Sequence, residues 1–450
     1  MERGGIVRIP AKSLRATLAS VLLLTTAAPA LSQDGAAGEA RAIEVETLSD
    51  PDEGQYPILL DGTLSGEGDL KDDTSPNSGR LRFDGFLGPW TESKARFRER
   101  TGISFGGSYM LLGQKFSDPG LGEDESVGQK LTLNFSTDII GRGTPNPVTL
   151  DLVLEKRGPV GTENPPLTAG VLAGSLTPTA PTYGDFDFGV TQFYIRQNLA
   201  GNRFQYAIGK LFAPNFINAY PLFDDNRQFF NQAFSTSPTI PAPLRGFGAV
   251  AVWYPTDSGA YIQGGVFTAN SDDIGVTVDN FFEDGELFYN VELGWSGLAR
   301  TGVPVQARGP MDTNNVHLSF WHKDAQPDAD PLFQREAQGV ALNANYMVDE
   351  NTMVFLRGGV SDGWVTERNV SAGFGWRPSA QSSDLFGAGV GWVQPESDFL
   401  DEQVVTEVFY RYHLTPNFAI TPGFQHIANP TLNPSVDELT VMSLRMRVTF

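Results

Sequence analysis

The 450-residue chain has no cysteine, which excludes disulfide staples and thiolate metal sites. Histidine is scarce, with four residues: His317, His322, His413 and His426. No HExxH, GxSxG or phosphate-loop motif occurs. Basic residues are outnumbered, 32 against 53 acidic, for a net charge of −21. That balance excludes the basic footprint of a nucleic-acid binder. No apolar run approaches the ~18 residues of a membrane-spanning helix. The nearest thing to a hydrolytic constellation is His317 with Ser319 and Asn315, all on one strand face. Residues two apart on a strand are separated by about 6.5 Å, too far for direct proton transfer. No enzyme, metal site or cofactor is therefore expected.

The first residues give an address. Arg3, Arg8, Lys12 and Arg15 precede an apolar stretch over 16–24, and small residues follow to Ala30-Leu31-Ser32. This order predicts a secretory signal peptide over 1–32, cleaved between Ala30 and Ser32. Residues 33–85 are acidic and loop-like (Glu39, Glu44, Glu46, Asp50, Asp52, Glu53, Asp69, Asp72, Asp73) and predict a poorly ordered periplasmic leader. The charged stretch after Trp90 predicts a short helix over 91–100, capped by Thr91.

Glycine (49) and phenylalanine (31) are abundant, yet the mean hydropathy is −0.20. A polar average suits a lipid-embedded protein only when alternate residues face water. Such alternation runs from Thr101 to the end. Met442, Leu444, Met446, Val448 and Phe450 alternate with Ser443, Arg445, Arg447 and Thr449. Similar patterns occur around Leu131, Leu150, Leu293, Leu342 and Phe374, with Trp and Tyr recurring at segment ends as interfacial girdles require. About sixteen segments fit between 101 and 450. The prediction over 86–450 is an all-β, transmembrane antiparallel β-barrel of about 16 strands, preceded by a short N-terminal periplasmic helix. Sixteen strands leave a water-filled lumen. A terminal Phe450 on the lipid-facing register is the signal expected by a barrel-assembly machinery.

Several stretches resemble one family. GVGW begins at Gly389, followed by EVFYRYHLTPNFAITPGFQHIANPTLNP and the MSLRMRVTF strand; LGPWTESKARFRERTGI and Gly209-Lys210 add further matches. The ensemble, over roughly 86–450, is similar to the carbohydrate-selective porin family (OprB-type). Departures are Gly423, where relatives often carry an acid after Thr–Pro, and Thr91, where glycine is usual. The resemblance implies an outer-membrane porin of a Gram-negative bacterium passing small hydrophilic solutes, often monosaccharides. A general or ion-selective porin, or an outer-membrane hydrolase, is the alternative reading.

Strand parity places Glu407, Arg411 and His413 on one face, opposite Val408, Tyr410 and Tyr412. Burying a basic residue against lipid costs ~2–4 kcal/mol at the midplane, so these three should face the lumen. They would act as a polar constriction for sugar hydroxyls, or as a structural Glu407–Arg411 ion pair. Parity adds Arg445, Arg447, Arg357, Arg377, Glu292, Arg196 and Lys130 as lumen candidates. Residues 212–245 are too long and too rich in Pro, Asn and Phe for a strand. They predict a loop folded into the barrel that offers Asn215, Asp224, Asp225, Asn226 and Arg227 to solute. Outer-membrane lipid and lipopolysaccharide are the expected surroundings, with the chain a monomer or homotrimer.

Overall fold

In a computed structural model, residues 84–450 are described except 270, 272–273, 276–277, 284, 299–312, 330 and 381. The expected signal peptide (1–32) and all but the last two residues of the expected leader (33–85) lie outside the described residues.

The alternating segments become sixteen strands among the described residues: β1 (Ile103–Phe116), β2 (Glu125–Ile140), β3 (Val148–Pro159), β4 (Phe186–Leu199), β5 (Phe204–Leu211), β6 (Gly246–Trp253), β7 (Ala260–Thr268), β8 (Leu287–Leu298), β9 (Thr313–Lys323), β10 (Ala337–Met347), β11 (Thr352–Asp362), β12 (Thr366–Trp376), β13 (Leu385–Pro395), β14 (Gln403–Thr415), β15 (Phe418–Ala428) and β16 (Glu438–Thr449). Each pairs antiparallel with its sequence neighbours, and β1 pairs with β16 to close the barrel. At that seam Ser108 faces Thr449 and Phe116 faces Val441. Closure satisfies every strand edge, which lipid would otherwise leave without hydrogen-bond partners.

Period-two patterning decides which side chains meet the interior. On β16, Met442, Leu444 and Val448 are exposed on the outer face while Ser443, Arg445 and Thr449 are buried inside. On β8, Val291, Leu293 and Trp295 point out, and Asn290, Glu292 and Ser296 point in. The two barrel ends differ. Short turns at 200–203, 254–259, 348–351 and 416–417 mark one end; long connections at 160–185, 212–245, 269–286 and 324–336 mark the other. Exposed Phe204, Trp253, Trp295, Tyr346 and Trp376 ring the short-turn end, as an aromatic girdle does.

Helix α1 (Asp84–Thr101) precedes β1 and corrects the expected 91–100 boundary. Thr91 lies inside it and is not its cap. Pro89 lies inside this helix. Short helices α2 (Pro166–Leu172), α3 (Gln232–Ser235) and α4 (Asp279–Phe282) lie in the long connections, with a 3-10 turn at Ala213–Asn215.

The core lies inside the barrel. Residues 212–245 fold inward as expected, and Tyr220, Phe223, Phe229, Phe230 and Phe234 are almost fully buried. Phe229 lies tilted against Phe234 (4.9 Å between ring centroids) and meets the wall rings Phe409 and Phe355 edge-on at 5.0 and 5.6 Å. A second inward segment, 160–185, was not anticipated; Ser175, Thr177, Thr179 and Tyr183 within it are buried. Wall glycines make room for these rings. A Cβ on Gly423 would lie 2.4 Å from Phe230, and one on Gly389 2.8 Å from Phe234. The departure at Gly423 thus coincides with an aromatic ring seated against the wall.

Candidate functional site

The inward 212–245 loop is irregular, so its backbone polar groups need partners other than strand neighbours. The barrel wall supplies them. Glu407 on β14 accepts from the backbone N–H groups of Phe230 (2.6 Å) and Asn231 (2.8 Å), one on each carboxylate oxygen. Arg357 on β11 donates to the carbonyls of Phe234 (2.9 Å), Thr236 (3.1 Å) and Asn218 (3.0 Å) and to Asn218 Oδ1 (2.9 Å), with Tyr220 4.3 Å beneath its guanidinium. Arg445 on β16 donates to the carbonyls of Asp225 (2.7 Å) and Gln228 (2.9 Å) and lies 4.2 Å from the Phe230 ring. Three predicted lumen residues therefore clamp the loop at three points of the wall. No ion pair joins Glu407 to Arg411; Arg411 donates to the Ser383 carbonyl at 3.0 Å instead. The reason is reach: the inserted loop presents two amides to Glu407.

The two inward segments also hold each other. Gln232 N donates to the Pro178 carbonyl (3.0 Å), and Thr182 N to Asp225 Oδ2 (2.9 Å). Burial pushes the Asp225 carboxyl up to about 6, against the pull of nearby Lys130. Burial likewise raises the Tyr183 and Tyr220 phenols above their ordinary value.

A smaller cavity lies between this plug and the β2–β4 wall, and a larger one opens beside it among the inward segments. They share Arg157, Thr182, Phe212 and Arg245. In the smaller one, Lys130 Nζ sits 2.9 Å from Glu155 Oε1, and Arg157 Nη2 2.7 Å from Glu155 Oε2. Lys130 also donates to Asn226 Oδ1 (3.0 Å) and Thr182 Oγ1 (3.2 Å), so its three donors are used. Arg157 Nη1 donates to the Thr182 carbonyl (2.8 Å), while its buried Nε has no protein partner. The larger cavity adds Asp225, Gln232, Phe223 and Ile217. Fixed charges, amides and aromatic side chains thus border two adjoining cavities.

Lys130, Asp225 and Asn226 are the sequence-predicted residues on these cavities. Glu155, Arg157, Thr182 and Arg245 were not singled out. For Glu155 and Arg157 the signal was present, because they share the inward parity of Asp151 on β3. The other predicted residues are dispersed. Arg196 pairs with Asp151 in the wall (2.8 Å), and Arg227 with Asp224 inside the loop (2.6 Å). Asn215 is buried, with Gln192 at 3.5 Å. Arg377 donates to the Glu350 carbonyl (2.9 Å) and His413 meets Asp384 (3.3 Å), both at the short-turn end. Arg447 faces Met110 and Ala419 across the β16 register.

Glu292 belongs to a separate buried network. It accepts from Tyr261 Oη (2.7 Å), Ser319 Oγ (2.7 Å) and Asn218 N (3.2 Å). His317 Nδ1 lies 2.6 Å from Asn315 Oδ1, closer than strand spacing alone had implied, because both side chains lean inward. The Asn218 amide sits between His317 Nε2 (3.1 Å) and Ser319 Oγ (3.2 Å). An amide nitrogen only donates, so Nε2 is occupied as an acceptor and does not face the serine proton. Asn218 holds φ +52 there, a left-handed conformation that asparagine tolerates better than most residues.

Comparison with solved structures returns Pseudomonas putida OprB at high pH, 15% identical with a TM-score of 0.62, covering 84% of this chain and 99% of that one. The low-pH structure of the same protein is 13% identical (TM-score 0.47; 84% and 100% covered). A Rhodopseudomonas blastica porin triple mutant is also 13% identical (TM-score 0.48; 77% and 100%). At these identities the first likeness is one of fold. No curated protein sequence matches the chain. The family model described as "Carbohydrate-selective porin, OprB family" matches residues 165–450, well over half of the sequence. With its closed sixteen-stranded barrel and charged interior, the chain belongs to the carbohydrate-selective porin (OprB) family.

Proposed function

We propose that the chain is an outer-membrane channel for passive diffusion of small hydrophilic solutes, monosaccharides foremost. In this reading it is exported by the signal peptide over 1–32 and embedded in the outer membrane of a Gram-negative bacterium. One observation carries the sugar reading: the open space beside the clamped loop is bordered by planar charged groups and aromatic faces. A sugar hydroxyl both donates and accepts, so it matches a wall that alternates cation, carboxylate and amide. Phe212 and Phe223 offer flat apolar surface for the ring faces. No catalytic role is proposed, since the Asn218 amide occupies the position that a His317–Ser319 proton transfer would need.

One observation favours a general pore instead. Lys130 directs all its donors to protein groups and offers none to solute. Planar-bilayer currents recorded while glucose and other sugars are titrated separate the two readings. Saturable block, weakened by Arg157→Gln, supports a sugar-binding constriction. Steady current with no block leaves a general pore. No current at all removes the channel reading.

A further inference from the structure

Helix α1 lies at the short-turn end of the barrel and carries charge of unexpected sign. Between Pro89 and Thr101 it has four basic residues against two acidic, in a chain whose net charge is −21. At about 100° per residue, Trp90 and Phe97 fall within ~20° of each other and form one stripe. Lys94 and Arg98 flank it on one side and Arg96 and Arg100 on the other, all within about 120°. Glu92 and Glu99 fall roughly 140–180° away, on the opposite face. Lys94 is half-buried; the other charged side chains of this stretch are exposed.

The stripe rests on the outside of the barrel. Trp90 and Phe97 meet Phe105 edge-on, at 5.8 and 5.3 Å between ring centroids. Phe105 shares the outward parity of Tyr109 on β1, opposite the buried Met110 and Leu112. Its cross-strand neighbour is Phe135. The contact is partial, leaving Trp90 41% and Phe97 40% exposed. Phe105 is the third residue of β1, at the strand end where Trp253, Trp295, Tyr346 and Trp376 form the girdle on their own strands. The helix therefore sits at girdle depth, with its remaining aromatic surface continuous with the apolar outer wall.

We propose that α1 is an interfacial helix that binds anionic phospholipid headgroups in the leaflet at the short-turn end of the barrel. Its aromatic stripe enters the acyl boundary, and its basic side chains meet headgroup phosphates, Arg96 doing so in exchange for its exposed pair with Glu92 (3.4 Å). This rests on the membrane placement given under Proposed function. Charge complementarity selects lipid over a second copy of the chain, because a second α1 would bring the same sign of charge.

The test uses the full chain in nanodiscs of phosphatidylcholine, with and without phosphatidylglycerol. Limited trypsin digestion reads cleavage at Lys94, Arg96, Arg98 and Arg100, and native mass spectrometry counts retained lipid. The expected result is slower cleavage and preferential phosphatidylglycerol retention in the anionic discs only. Each basic residue near an anionic surface is worth about fivefold in partition at low salt. The Lys94→Gln, Arg96→Gln, Arg98→Gln, Arg100→Gln variant should therefore lose the preference by at least about tenfold after screening. Trp90→Ala with Phe97→Ala should make the basic sites equally cleavable in both lipids. Equal protection with and without phosphatidylglycerol overturns the proposal, leaving a helix held by aromatic packing alone. Protection that rises with protein concentration in lipid-free micelles also overturns it, in favour of a second copy as occupant. Channel current measured on the same preparations keeps the two readings apart. Normal current with no lipid preference sinks only the proposal for α1, and absent current sinks the membrane placement itself.

Discussion

Replacing Glu407 tests whether the wall holds the loop. Both of its oxygens accept, from Phe230 N at 2.6 Å and Asn231 N at 2.8 Å, and all three residues are buried. A carboxylate can receive one N–H on each oxygen, whereas a protonated carboxyl would turn one of them into a donor. A hydrogen bond to a charged group contributes about 1.5–3 kcal/mol, and an orphaned buried N–H costs a further ~1–3 kcal/mol. Glu407→Ala removes both bonds and strands both amides. After water enters the space, a local destabilisation of about 3–5 kcal/mol is expected. Glu407→Gln keeps one acceptor oxygen and turns an NH2 toward the second amide, so about half that loss is expected. The amides report on themselves by hydrogen exchange. At about 1.4 kcal/mol per tenfold, Glu407→Ala should lower protection at Phe230 and Asn231 by two orders of magnitude or more, while strand amides on β2 and β8 keep theirs. Single-channel records should show a larger, noisier conductance as the loop leaves the wall. Protection at Phe230 and Asn231 within about threefold of the parent would refute the clamp. So would a uniform loss over the whole barrel, which would make Glu407 a global stability residue.

Gly423→Ala should force Phe230 from its seat, at an overpacking cost of about 1–3 kcal/mol; a lower melting temperature in detergent with strand content intact is the expected readout. Lys130→Met breaks a buried pair and leaves Arg157 as the remaining cation on Glu155. A loss of roughly 3–5 kcal/mol is expected, read as a barrel that unfolds at lower temperature on semi-native gels. Asp225 has its carboxyl raised from 3.8 to about 6 in the folded chain. Keeping it ionised therefore opposes folding above about pH 6, and the penalty fades as pH falls toward 3.8. Asp225→Asn, which retains an acceptor for Thr182 N, should be as stable as the parent or up to about 3 kcal/mol more stable at neutral pH. The difference should close near pH 4 in denaturant titrations. The same proton alters ion selectivity: between pH 7 and pH 5 the reversal potential should shift toward anions in the parent and stay flat in Asp225→Asn.

The barrel was legible because its signal is periodic. Met442 to Phe450 alternate in sequence as they alternate between lipid side and lumen, and parity placed Lys130, Glu292, Arg357, Glu407 and Arg445 inside. Parity says which face a side chain takes but not what it meets there. Glu407 was read as a solute contact or a partner for Arg411, and instead meets two loop amides, because an inserted segment lies between the walls. The 212–245 loop announced itself by length and aromatic content. The 160–185 segment, full of Pro, Thr and small residues, offered no comparable apolar weight, and its insertion rests on wall amides such as Gln403 and Gln425. Irregular backbone has no period to read, so its position follows only from what the wall presents.

The β1–β16 seam has a consequence for the order of folding. Its partners come from opposite ends of the described chain, and hairpins formed early leave two unpaired edges until both strands are present. An open sheet of this kind invites pairing with other chains, and non-local pairing is slow to form. Between synthesis and closure the polypeptide is therefore at its most aggregation-prone, and a factor that holds the edges apart, or a lipid surface that nucleates the seam, governs its yield more than any single contact in the finished barrel.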